Sequence, residues 1–112
     1  MIPTSYDASN VFARILKGEI PCQKILETDH TLSFYDHQPQ APIHALIITK
    51  APYICFDHFL KQCPDPNPFW QDVQALVHHL NFHKTGYRFV SNNGKGGGQE
   101  VPHFHAHLLS GV

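Results

Sequence analysis

Close to the C-terminal end, three histidines alternate with apolar residues in His103-Phe104-His105-Ala106-His107-Leu108-Leu109. Side chains of an extended strand alternate between faces. His103, His105 and His107 are therefore expected on one face, with Phe104, Ala106 and Leu108 on the other. Each imidazole carries two ring nitrogens that need partners when buried, so a row of three is a poor choice for packing alone. Two chemistries suit it. His103 with His105, or His105 with His107, could ligate zinc together with His44. Alternatively, one neutral imidazole attacks an electrophile while a second protonates the leaving group.

The segment upstream bears on that choice. Asn92-Asn93-Gly94-Lys95-Gly96-Gly97-Gly98-Gln99 is rich in glycine, and consecutive glycines let backbone N–H groups surround an anion. This loop runs directly into the histidine strand, which points to phosphorus chemistry rather than a bare metal cage. It is neither a Walker loop nor a dinucleotide-binding fingerprint. His44 shares a strand face with Leu46 and Ile48. Asp36 closes a β-prone run and opens a proline loop, where a carboxylate can accept hydrogen bonds from two hydroxyl groups.

The elements that must position these residues are legible in outline. Val11, Phe12, Ile15 and Leu16 form one apolar helix face, with Ser9 or Asn10 as cap, Gly18 as stop and Pro21 forbidding continuation; a helix of about eight residues is expected. Ile25–Thr28 and Thr31–Tyr35 read as a hairpin around Asp29-His30. Residues 38–42 form a loop, because two prolines cannot sit in a ladder. Ile43 to Thr49 is a strand, and residues 53–63 are ambiguous. Phe69, Val73, Leu76, Val77 and Leu80 follow helical spacing after Asn67-Pro68, and Gly86 should end that helix. Tyr87 to Asn92 and Val101 to Ser110 complete the strands. The expected fold class is α+β, a five-stranded antiparallel sheet with two helices, in a single domain over residues 1–112.

Composition narrows the function classes. With 42% hydrophobic residues the 112-residue chain can build a core without a disulfide or metal staple. Eight Lys and Arg against nine Asp and Glu give a net charge of -1, which argues against a nucleic-acid binder relying on bulk charge. Strictly apolar runs such as Ala45-Leu46-Ile47-Ile48 fall far short of the ~20 residues of a membrane span. The start, Met1 to Asp7, has neither the basic nor the apolar region of a secretory leader. Cys22, Cys55 and Cys63 are odd in number and widely spaced, as expected of reduced thiols in a cytoplasmic protein.

The motif His103-Phe104-His105-Ala106-His107-Leu108-Leu109 resembles the histidine triad motif, and the rest of the chain resembles the Hint branch of that superfamily. Val11 to Pro21, Phe34-Tyr35-Asp36 leading to Pro39-Gln40-Ala41-Pro42, the His44 strand, Gly86-Tyr87-Arg88 and Gly97-Gly98-Gln99 carry the likeness. The resemblance implies a homodimer whose two sheets join into one. It implies hydrolysis of purine nucleoside phosphoramidates and related acyl-adenylates, with no metal and no cofactor. On it, His105 is the nucleophile, His107 contacts the phosphate and assists the leaving group, His103 orients His105, and His44 completes the cluster. Asn92, Gly98, Gln99 and Val101 would surround the phosphate, Asp36 would hold the ribose, and Val11, Phe12, Ile15 and Phe34 would wall the base pocket. A Fhit-like dinucleoside polyphosphate hydrolase, a nucleotide-binding interaction scaffold and a zinc-binding protein are the alternatives. Two positions depart from the branch: Glu100, where many relatives carry a small hydroxyl residue, and His37, usually apolar.

Overall fold

The computed structural model describes residues 5–111. Residues 1–4, on which the expectation of no secretory leader partly rests, and Val112 of the expected domain lie outside them. The elements are helix α1 (Val11–Leu16), strands β1 (Lys24–Glu27), β2 (Thr31–Tyr35) and β3 (Ile43–Thr49), helices α2 (Phe56–Gln62), α3 (Asn67–His79) and α4 (Phe82–Thr85), and strands β4 (Arg88–Val90) and β5 (His105–Ser110). All strand pairs are antiparallel, in the order β1-β2-β3-β5-β4.

The central strand β3 sorts its residues by parity. Ala45 and Ile47 pair with Leu108 and Ala106 and face the helices. Leu46 and Ile48 pair with His107 and His105 and face the other way, alongside His44. The helix side holds the larger core, where Phe59, Phe69, Leu76 and Phe82 cover Ala45, Ile47, Ala106 and Leu108. Thr28 and Thr31 both donate hydroxyl hydrogen bonds to Asp72 of α3, tying that helix to the β1–β2 hairpin. The opposite face is covered by α1, whose Phe12, Ile15 and Leu16 pack on Leu32, Phe34, Leu46 and Ile48. Asn10 caps α1 by accepting the Ala13 N–H at 2.9 Å, which satisfies one of the free N–H groups of its first turn.

Three expectations are corrected by local backbone chemistry. The single helix expected from Asn67 to Gly86 is two, because Asn81 adopts the left-handed region (φ 59°) and breaks the ladder after α3. The ambiguous 53–63 segment supplies α2, so among the described residues four α-helices accompany the sheet rather than two. The last strand starts at His105, not Val101. Pro102 has no N–H to give, and the His103 N–H turns back to the Val101 carbonyl at 2.8 Å.

His103 is therefore held outside the ladder, yet the alternation of side chains persists through Phe104. The Phe104 ring is buried between Phe56, Phe59 and Phe69 at centroid distances of 5.6, 4.8 and 5.1 Å. Its N–H donates to the Tyr53 carbonyl at 2.7 Å. Phe104 thus anchors both flanking histidines from the far side of the chain. Phe104→Ala should cost about 3–5 kcal/mol of stability, as removal of a buried aromatic does. Urea denaturation measures this, and a loss below about 1 kcal/mol would show that Phe104 is not the anchor.

Candidate active site

A cleft of about 450 Å³ opens on the α1 side of the sheet. Val11, Phe12, Ile15 and Phe34 form its apolar wall, Asp36, His37, Gln38 and Gln40 its loop side, and Asn92, Gly98, Glu100 and Val101 the opposite rim. His44, His105 and His107 form its floor.

The floor is wired by hydrogen bonds that specify where each proton sits. The Nδ1 of His105 lies 2.7 Å from the His103 carbonyl. A carbonyl only accepts, so Nδ1 carries the proton and Nε2 keeps its lone pair. The ring of Phe12 stands edge-on to His105 at 4.8 Å. Ser91 donates its hydroxyl to the His105 carbonyl at 2.9 Å, just past the end of β4. His44 accepts the Gln40 N–H on Nδ1 at 3.0 Å, so its proton is on Nε2, which faces Nδ1 of His107 at 2.9 Å. His107 therefore accepts on Nδ1 and carries its proton on Nε2. Asp36 lies 3.5 Å from His44 Nε2 and closes its own turn by accepting the Gln38 N–H.

His103 lies behind this floor rather than in it. Its buried ring donates from Nε2 to the Thr49 carbonyl at 2.7 Å and accepts the Tyr6 hydroxyl on Nδ1 at 2.5 Å. What reaches His105 is the carbonyl of His103, not its ring. Gln99 also turns away from the cleft. Its side chain donates to the Ile54 and Val101 carbonyls and accepts from the Gly94 N–H, bracing the glycine loop. Asn92 adds a bond to the Gly97 carbonyl, and Gly98 (φ 78°) turns the chain along the rim where a side chain would be strained. The remaining expected residues are brought together in the cleft.

Burial pushes the proton affinity of all three histidines down. For His103 the Thr49 carbonyl opposes the fall, and for His105 the His103 carbonyl does. His107 is pushed to about 4, by burial first and then by His105 and His44, against the pull of Asp36 and Glu100. The floor therefore offers a lone pair from neutral His105 and an N–H from neutral His107 at neutral pH. One donor atom each from Asp36, His44 and His107 lie within 4.8 Å of one another, the spacing of a cation site. For His44 to ligate through Nε2, its proton would have to move to Nδ1, opposite the Gln40 N–H, so the hydrogen-bonded arrangement opposes that use. The zinc sets that include His103 fail too, since both its ring nitrogens are engaged.

Sequence reasoning missed Tyr6, Gln40 and Ser91. Tyr6 is 97 positions from its partner and carries no local signal. Gln40 acts through its backbone N–H, which any residue but proline has.

Comparison with known proteins gives a consistent result. Residues 17–112 match the family model described as HIT domain. An uncharacterized HIT-like protein of Azospirillum brasilense is 44% identical, over 96% of this chain and 89% of its own. The adenosine 5'-monophosphoramidase of Saccharomyces cerevisiae is 38% identical, over 96% of this chain and 65% of its own. A histidine triad protein structure from Clostridium difficile superposes with a TM-score of 0.86 at 33% identity, covering 96% of this chain and 95% of that one.

The depressed imidazoles make folding pH-dependent. Below the ordinary value of 6.5 the unfolded chain takes up protons on these residues, while the folded chain refuses them down to about 4 at His107. Stability should therefore fall as pH drops through that window. Denaturation midpoints between pH 7.5 and 4.5 measure the slope, and His107→Asn should flatten it. An unchanged slope in that variant would contradict a half-buried, neutral His107 ring.

Proposed function

The chain belongs to the HIT-domain family, and on that premise we propose that it hydrolyses purine nucleoside phosphoramidates and related acyl-adenylates through a covalent nucleotidyl-histidine on His105. The observation that carries this reading is the proton placement of the floor. An unprotonated His105 Nε2 stands beside a protonated His107 Nε2, both made neutral by burial.

On this reading the purine lies against Val11, Phe12, Ile15 and Phe34, and Asp36 accepts the ribose hydroxyls. The phosphate meets Asn92, the backbone at Gly98 and Val101, and His107. His105 Nε2 attacks phosphorus as the bond to the amine nitrogen breaks. The anionic phosphate raises the proton affinity of His107, which takes up a second proton from solvent and gives its Nε2 proton to the departing amine. The His103 carbonyl holds the Nδ1 proton while positive charge develops on His105. Water then attacks phosphorus as His107 takes its proton, the His105–phosphorus bond breaks with its electron pair returning to Nε2, and the nucleoside monophosphate leaves. Every step uses side chains and backbone donors, so no cofactor enters. The yeast relative is named for action on an adenosine monophosphoramidate, which supports the substrate class.

The proposal includes the whole chain as one domain, 1–112, a homodimer and a cytoplasmic setting. Strands β1 and β4 are the sheet edges. The β1 edge is irregular and flanked by Lys24 and Glu27. The β4 edge is flanked by exposed Tyr87 (45%) and by Trp70 (40%), which packs 5.8 Å from Phe89, and this supports it as the joining edge. The three cysteines are unpaired, which suits a reducing compartment. Among the described residues, no helix is long and apolar enough to cross a membrane.

His105→Ala should abolish both turnover of adenosine 5'-phosphoramidate and the adenylylated species seen by intact mass. Loss of such a nucleophile costs ~10⁴-fold or more. The assay is run with a chelator present, where wild-type turnover should persist. Residual turnover within about tenfold of wild type would overturn the role of His105. Sedimentation at micromolar concentration should show a dimer, and Trp70→Glu should shift it toward monomer; a wild-type protein that sediments as monomer alone contradicts the joined sheet.

A further inference from the structure

The cleft proposed to take an anionic nucleotide is itself acidic. Histidines aside, the charged side chains lining it are Asp36 and Glu100, with no lysine or arginine among the described residues. The two carboxylates occupy different walls. Asp36 stands at the β2–β3 side, 3.5 Å from His44 and bonded to its own turn. Glu100 stands on the opposite rim between Gly98 and Val101. It is exposed and forms no ion pair among the described residues. With the ribose at Asp36, the group leaving phosphorus departs on the side of Glu100 and His107.

Resting on the phosphoramidase reading, we propose that Glu100 is a specificity-determining residue. It selects nucleoside phosphoramidates whose amine carries a second, cationic group, such as a diamine, and it disfavours anionic leaving groups such as a second nucleotide. A fixed negative charge on the rim attracts the first class and repels the second through the same field. The field of Glu100 also reaches His107, where it counters the fall in proton affinity caused by burial. A small hydroxyl side chain at this place would leave the rim indifferent to charge. Because Glu100 is exposed, its effect is moderate and sensitive to salt.

The test compares kcat/KM for two adenosine phosphoramidates, one of a diamine with a free ammonium and one of a neutral alkylamine of matched length. The expected preference for the diamine is about fivefold at ~20 mM ionic strength, shrinking to within about twofold at ~0.5 M. Glu100→Gln should abolish the preference and Glu100→Lys should reverse it. A wild-type ratio near one at low salt, or a ratio that neither variant moves, overturns the proposal while leaving the phosphoramidase reading standing. Equal loss of both substrates in Glu100→Gln also overturns it, since Glu100 would then support the site without selecting. Failure of the wild-type protein to turn over either compound overturns the phosphoramidase reading and this inference with it.

Discussion

The bond from His105 Nδ1–H to the carbonyl of His103 is the constraint around which the rest is arranged. A neutral imidazole has one lone pair to offer, and the nitrogen that presents it is decided by where the proton is held. Holding it on Nδ1 points Nε2 into the cleft. That requires a carbonyl two residues upstream, aimed back at the ring, which a continuing ladder would not provide. Pro102 interrupts the ladder, Phe104 pins the segment into the aromatic core, and Tyr6 and Thr49 occupy both nitrogens of the His103 ring. His103 thus contributes its ring to the architecture and its backbone to the chemistry.

A second chain of bonds sets the complementary proton. The Gln40 N–H fixes His44, and His44 fixes His107, so two neighbouring imidazoles present unlike atoms to the same space. Burial is what permits this. In water a row of imidazoles would be partly protonated near neutral pH; here the loss of hydration keeps His105 and His107 neutral. Burial without partners would be costly, and among the described residues no buried side-chain nitrogen or oxygen lacks one.

The sheet makes these placements possible by giving its faces to different tasks. The helix face is filled by aromatic and aliphatic side chains and carries most of the apolar burial. The other face is covered only in part, by α1, which leaves the end near His44, His105 and His107 open as the cleft. The same α1 residues serve both ends of that division: Phe12 packs on Phe34 in the smaller core and edges His105 in the cleft.

Local pattern determined the class of fold, the hairpin, a cap at Ser9 or Asn10, the parity of His105 and His107 and the glycine rim, because each depends on residues close together in the chain. Tertiary structure decided the rest. The break between α3 and α4 came from a left-handed Asn81, a conformation that helical spacing does not reveal. Gln99, next to the glycines, turned inward because the carbonyls of Ile54 and Val101 lay within reach of its amide. Above all, the protons were placed by partners distant in sequence: Tyr6 and Thr49 for His103, and His44 for His107. A histidine in a sequence shows only that two nitrogens are present. Which one holds the proton depends on the acceptors and donors that folding brings to each side of the ring.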